Sequence, residues 1–203
     1  MEQKAVPDGR TRRRDDTRQR LYDAAMDLIA EHGFSNTTVD DIAIAAGVAK
    51  GTVYYNFPSK NALFEALLRH GVGLLTADFH TAVAAFSTPP EQAVALIRAE
   101  LAYIHQHRAF AQLLLSEMWR TNREWHQTLH LLRDEAVGVI AGVLTRGVQE
   151  GHFEPTLDVR MAAAALFGVC LVVAVDWLVF EPDRSLESVQ DSLIAVIRAR
   201  VGI

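Results

Sequence analysis

Between Lys50 and Asn56 the sequence reads KGTVYYN. On one outward helix face, Lys50, Gly51, Thr52, Tyr54, Tyr55 and Asn56 would present one cation, hydroxyls, an amide and flat rings with little aliphatic bulk. Side chains of these types bond phosphate oxygens and the base edges of a DNA major groove. Bond-breaking chemistry has no comparable candidate. The chain contains no G-x-S-x-G elbow, no phosphate-cradling glycine loop and no H-E-x-x-H. Its one cysteine, Cys170, sits in the most apolar stretch, where a thiolate is disfavoured, so no enzyme is expected.

A face of that kind needs two short helices crossing tightly. Residues 38–57 read TVDDIAIAAGVAKGTVYYNF. Thr38 and Asp41 form a T-x-x-D capping pattern for a helix over about 39–46, and Gly47 ends it. A second helix follows over about 50–56, and Pro58 forbids its continuation. Ala43, Ala46 and Gly47 allow the close crossing, with Ile42, Val48, Val53 and Phe57 as the shared core. Before the pair, Leu21, Ala25, Leu28 and Ile29 stripe a first helix over about 18–31. Thr17 is its expected cap and Gly33 its stop. After the pair, Ser59 caps a long fourth helix carrying Leu63, Phe64, Leu67, Leu68, Val72, Leu75 and Phe79.

Apolar residues recur at three- and four-residue spacing almost everywhere, so the expected fold class is all-α. Beyond the Ser87-Thr88-Pro89-Pro90 break, helices are expected over about 91–106, 109–118, 123–150, 158–180 and 186–201, nine in all.

The formal net charge of −5 looks wrong for a nucleic-acid binder, but its distribution does not. Residues 1–70 carry ten Lys and Arg against ten Asp and Glu, so the acidic excess lies outside the first third. Lys4, Arg10, Arg12, Arg13, Arg14, Arg18 and Arg20 form a basic cluster. Residues 1–16 are expected to be a flexible arm, either tracking a groove or solvated. A non-specific architectural binder would need far more positive charge. A single cysteine allows no intrachain disulfide and suits a reducing cytoplasm, and no apolar run of signal-peptide type follows the N-terminal charges.

The blocks Gly33-Phe34, Thr37-Thr38-Val39, Asp41-Ile42-Ala43, Ala46-Gly47-Val48 and Lys50 to Lys60 resemble the signature of the TetR family of bacterial transcriptional regulators. The resemblance covers about residues 17–68. It implies a nine-helix fold, with a helix-turn-helix DNA-binding domain over 17–68 and a ligand-binding and dimerisation domain over 69–203. It further implies a homodimeric regulator, usually a repressor, that binds a palindromic operator and is released by a small-molecule effector. Thr38 matches a phosphate-contacting cap, and Thr52 and Tyr55 match base-contacting positions. Tyr54, Asn56 and Lys60 match phosphate-contacting positions. The sequence departs from the pattern at Ala49, a poor helix cap, at Asp40, where a basic residue is frequent, and at Asn56, where His is frequent.

In the C-terminal two thirds, Phe79, Tyr103, His107, Phe110, Met118, Trp119, His126, Phe167 and Cys170 are candidates for lining an apolar pocket. An apolar or aromatic effector is expected there, its polar handle met by Tyr103, His107, Gln112 or His126. His126 and His130 share a helix face, with His105 and His107 nearby, but surface or pocket roles are expected and no metal or other cofactor. Met161–Val175 is 15 residues without a charge, short of the ~20 a membrane span needs, so a buried or dimer-facing helix is expected. The dimer candidates are Leu166, Val169, Val173, Trp177, Val189, Leu193, Val196 and Ile197 on the last two helices.

Overall fold

The computed structural model describes residues 9–118 and 126–201. Its elements are α1 (Gly9–His32), α2 (Val39–Ala45), α3 (Lys50–Asn56), α4 (Lys60–Ala84), α5 (Pro89–Gln106), α6 (Arg108–Met118), α7 (His126–Gln149), α8 (Val159–Phe180) and α9 (Leu186–Val201). No strand occurs among the described residues. The chain divides into two compact units, Met1–Leu68 and Arg69–Ile203.

The start of α1 corrects the expectation of a flexible arm through residue 16. The helix begins at Gly9, so Thr17 lies inside it and does not cap it. The run RTRRRDDTRQR contains no Pro or Gly, and Arg is a strong helix former.

In the first unit, Leu21, Ala25 and Ile29 of α1 are buried, as are Ile42, Ala43, Ala46, Val53 and Phe57. Gly33 and Gly47 adopt φ +80° and +63°, the left-handed region that closes helices α1 and α2. Buried Thr37 donates its hydroxyl to the carbonyls of Leu28 and Gly33, at 3.2 and 3.0 Å, and so ties the α1–α2 loop to α1.

The second unit has its core between α5, α6, α8 and α9. Ile97, Leu101, Ile104, Ala111, Cys170, Leu171, Ala174, Trp177, Val189, Leu193, Ile194 and Ile197 form one buried cluster. Pro89 is the first residue of α5, where its missing N–H is not needed. The Glu91 carboxylate accepts from the Thr88 N–H and hydroxyl at 3.3 and 2.7 Å. Arg98 ties α5 to α9, donating to Gln190 Oε1 at 3.1 Å and to Asp191 Oδ1 at 2.5 Å.

One packing contact is tight enough to test. A Cβ built on Gly71 would lie 2.3 Å from Phe110 Cε2, whereas at Gly73, two residues along α4, it would meet nothing within 4 Å. Phe110 is fully buried and has nowhere to swing. Gly71→Ala is expected to cost about 1–3 kcal/mol through overpacking, partly offset by helix propensity. Gly73→Ala is expected to gain up to ~1 kcal/mol. Thermal melting should therefore move in opposite directions for the two variants, and a shift of the same sign in both would refute the packing account.

Candidate nucleic-acid interface and effector region

The first unit carries the candidate reading face. Thr38 caps α2: its hydroxyl accepts from the Asp41 N–H at 3.2 Å, and the Asp41 carboxylate accepts from the Thr38 N–H at 2.9 Å. The Thr38 hydroxyl also donates to that carboxylate at 2.6 Å, and these bonds hold the Asp41 carboxyl below its ordinary range. The capping box is therefore closed, and Thr38 remains exposed at its rim. At the far end of α2, Arg20 donates to the carbonyls of Ala46 and Gly47, the latter at 3.0 Å. Arg20 thus satisfies backbone acceptors that the helix end leaves open, and it pins the turn that aims α3. Nothing local marks this partnership, because 26 residues separate donor and acceptor.

On α3, Val53 is buried, while Tyr54 and Tyr55 are 46% and 79% exposed. Gly51 is exposed, and a Cβ there would enter open space. Thr52 is partly buried. Ala49 makes no side-chain cap, as its residue type implies. Tyr54, Tyr55, Thr52, Gly51 and Lys50 therefore share an accessible surface in the structure.

Three candidate contacts are modified by the structure. Asn56 does not project outward. Its amide donates to Thr52 O at 2.8 Å, and its Oδ1 is buried without a partner among the described residues. The cause is local, since a short polar side chain near a helix end bonds the carbonyl four residues back. Lys60 is drawn inward as well. Its Nζ donates to Phe34 O and Thr37 O at 2.6 and 2.8 Å and lies 4.2 Å from the centre of the Phe34 ring. Its charge closes the α1–α2 loop, a role that its position in the sequence did not suggest. Lys50 reaches Asp40 Oδ2 at 2.8 Å across the helix pair, with both side chains 55% exposed. The contact raises the Lys50 ammonium above its ordinary value.

A DNA phosphate approaching Lys50 would have to compete with Asp40 for its ammonium. Asp40→Asn is expected to tighten DNA binding about two- to fivefold per half-site at ~150 mM salt, the worth of one surface ion pair in each protomer. The slope of log K against log[salt] should steepen by ~0.9 per half-site, for one more phosphate neutralised by each protomer. A binding isotherm series at four salt concentrations measures both, and an unchanged slope would show that Lys50 touches no phosphate.

In the second unit, the pocket candidates Phe79, Tyr103, Phe110, Phe167 and Cys170 are all buried. Tyr103 is no free handle, because its hydroxyl donates to Gly71 O at 2.7 Å. His107 is partly buried, its ring centre 4.4 Å from that of Tyr103. Gln112 is exposed, which removes it as an internal polar contact. Trp119 lies outside the described residues, as do the side chains of Met118 and His126. His130 is exposed, with Asp134 Oδ2 at 3.6 Å. Among the described residues no group of side chains suits a metal ion.

Sequence reasoning passed over Glu100, which is 2% exposed. Residues 93, 96, 97, 100, 103 and 104 form the inner stripe of α5, and a carboxylate in the middle of that stripe was the available signal. Its carboxyl takes a hydrogen bond from the Cys170 thiol, and Oε1 has no partner among the described residues.

In one protomer the α8–α9 residues expected at a dimer face divide into buried and exposed sets. Trp177, Val189, Leu193 and Ile197 are buried within one protomer. The Trp177 indole donates to Arg184 O at 2.8 Å and stacks on His105 at 5.0 Å. Leu166 and Val173 pack against the same core from its edge. The outward stripe of α8 keeps the expected Val169 and adds Met161, Ala165, Val172, Asp176, Val179 and Phe180, and the expected Val196 is exposed on α9. Because α8 is apolar all round, its composition did not show which side faces in. By length and composition alone α8 would also suffice to cross a membrane, but one side of it builds this core.

Known proteins agree with this architecture. Residues 21–67 match the family model described as bacterial regulatory proteins, tetR family, and residues 87–199 match that of a tetracyclin repressor-like C-terminal domain. The HTH-type transcriptional repressor KstR2 of Mycobacterium tuberculosis is 31% identical over 145 residues, covering 71% of this chain and 72% of that protein. The fatty acid metabolism regulator protein of Bacillus subtilis is 25% identical over 177 residues, covering 87% and 91%. The crystal structure of the transcriptional regulator FadR from Bacillus subtilis in complex with stearoyl-CoA superposes with a TM-score of 0.80 at 25% identity, covering 88% and 96%.

Proposed function

This chain belongs to the tetR family of bacterial regulatory proteins, and from that premise we propose how its surfaces divide the work of a ligand-responsive transcriptional repressor. The protein is a regulator and not an enzyme. It binds operator DNA as a homodimer and responds to a small-molecule effector, acting in the cytoplasm, where its operator lies. Tyr55 and Thr52 read base edges, while Lys50, Tyr54 and the rim of the Thr38 cap meet phosphates. Exposure of Tyr54 and Tyr55 on a short helix whose core residue Val53 is buried supports that assignment. Gly51 leaves room for close approach of the DNA backbone. Arg20 and Lys60 position the motif by donating to backbone carbonyls of its turn and its leading loop.

The homodimer forms through the outward stripe of α8 with Val196 of α9. Met161, Val172 and Phe180 are 66%, 61% and 75% exposed in one protomer, more continuous apolar surface than a lone subunit keeps in water. A two-fold axis then offers two α3 helices to half-sites about one DNA turn apart, roughly 34 Å.

The effector is a long-chain acyl-CoA, bound in the second unit. The stearoyl-CoA bound by the FadR neighbour and the fatty acid role named for the Bacillus subtilis relative support this class. Binding favours a helix arrangement whose α3 spacing no longer fits the operator, by way of α4, whose residues belong to both units. The single observation behind the regulatory reading is the exposed Tyr54–Tyr55 face on a closed helix-turn-helix. The test is a titration of DNA from upstream of the gene against random DNA at ~150 mM salt, with and without stearoyl-CoA. Preference for the upstream DNA should be at least about a thousandfold. Stearoyl-CoA should weaken operator binding by about 5- to 150-fold. Operator binding that stays constant while stearoyl-CoA demonstrably binds would remove the coupling.

A further inference from the structure

The buried carboxyl of Glu100 has no part in reading DNA or in the outward stripe of α8. It sits in the middle of α5, with Ile97, Leu101 and Ile104 of the apolar core close by in sequence. The described residues place no Lys or Arg on it. The Cys170 thiol of α8 donates to it, and Oε1 is enclosed with no partner among the described residues. An orphaned polar atom in a core costs stability, and replacing it by an apolar group of similar shape is close to neutral or favourable. A carboxyl kept in such a place therefore calls for a use.

The protonation state narrows that use. Burial pushes Glu100 well above the usual carboxylate range, with the thiol bond pulling the other way. Without a cation the group stays the neutral acid, which carries one O–H donor besides its acceptor oxygens. Cys170 is no nucleophile here, because burial and the neighbouring Glu100 hold its thiol well above its ordinary value. Tyr103 lies three residues on along the same face of α5, and His107 caps the end of the helix. The Tyr103 hydroxyl is already spent on Gly71 O at 2.7 Å. Glu100 is thus a buried acid on this face with one oxygen, Oε1, uncommitted. An ammonium would ionise it, and a second carboxylate would have to share its proton in an apolar core. An uncharged carbonyl does neither, and it accepts the O–H.

We propose that Glu100 is the polar anchor of the effector site, donating its carboxyl proton in a hydrogen bond to an uncharged carbonyl oxygen on an otherwise apolar chain. On the acyl-CoA reading, on which this inference rests, that oxygen belongs to the thioester. The Cys170 thiol orients the carboxyl from the other side. The site then discriminates a carbonyl-bearing chain from the same chain without one.

The experiment uses the full-length protein and two probes, stearoyl-CoA and its octadecyl thioether analogue, in which a methylene replaces the carbonyl. Calorimetric titration of the wild-type protein should favour the thioester by about five- to thirtyfold, the worth of one buried hydrogen bond whose loss strands a partner. Glu100→Leu should bind the two probes equally and melt at a higher temperature, since the orphan oxygen is gone. Glu100→Gln, whose amide N–H still donates, should keep a preference. Equal binding of the two probes by the wild type overturns the anchor, and so does a thioester preference that survives in Glu100→Leu. Either result leaves the acyl-CoA reading intact. Failure of folded wild-type protein to bind either probe overturns that reading and this inference together.

Discussion

Val172→Glu should convert the protein to monomers and abolish operator binding at concentrations where the wild type is saturated. Val172 lies at the middle of the outward stripe of α8 and is 61% exposed in the isolated protomer, so a glutamate there disturbs no intrachain packing. Across a two-fold interface two such carboxylates would face each other among Met161, Val169 and Val179. Burying unpaired charge costs several kcal/mol per ion, and the two like charges would also repel each other. Loss of the dimer removes the gain from engaging two half-sites at once, a factor on the order of 10² to 10⁴. Sedimentation velocity and a fluorescence-anisotropy titration on operator DNA measure the two effects. A variant that stays dimeric would place the interface elsewhere. One that is monomeric yet binds the operator normally would detach dimerisation from DNA reading.

The second large effect belongs to Tyr55. It is 79% exposed, so truncation to Ala removes little intrachain packing, and the melting temperature should stay within about a degree or two. A side chain reading a base edge is worth about 1–3 kcal/mol of discrimination, and a dimer repeats the loss at both half-sites. Operator affinity should fall by about thirtyfold to ten-thousandfold. Affinity for random DNA, which rests on phosphates, should barely move, and the salt slope should stay the same. Tyr55→Phe separates the hydroxyl from the ring. If Tyr55→Ala weakened random and operator DNA equally, the residue would be a backbone contact and the base-reading role would pass to Thr52.

Much of the first unit was legible because its signals are local. A threonine followed three residues later by an aspartate, a glycine able to take positive φ, and a proline that forbids helix each act within a few residues. The capping box at Thr38, the turn at Gly47 and the short helix Lys50–Asn56 are all in the structure. Where a side chain chooses between solvent and a distant partner, local signals failed. Lys60 chose two carbonyls more than twenty residues away, Arg20 did the same, and Asn56 bonded its own helix.

The second unit shows the same division more sharply. Pro89 and Pro90, the turn near Gly151 and the break at Pro182 punctuate the helices, and the periodicity fixes their lengths. Which side of α8 faces the core is a different matter. A helix apolar on every side has no preferred orientation of its own, and neighbours that supply the best-fitting surface decide it. That is why Trp177, Val189, Leu193 and Ile197 lie inside one protomer, while Met161, Val172 and Phe180 remain outside.

The amino-acid sequence alone determined the helical class, the punctuation between helices and the residue types offered to DNA, because capping, glycine conformation and periodicity depend on near neighbours. Tertiary packing alone decided which of those side chains stay free, which face of α8 is open and that Oε1 of Glu100 is sealed without a partner among the described residues. Those outcomes turn on contacts between residues far apart in the chain, whose strength no local stretch encodes.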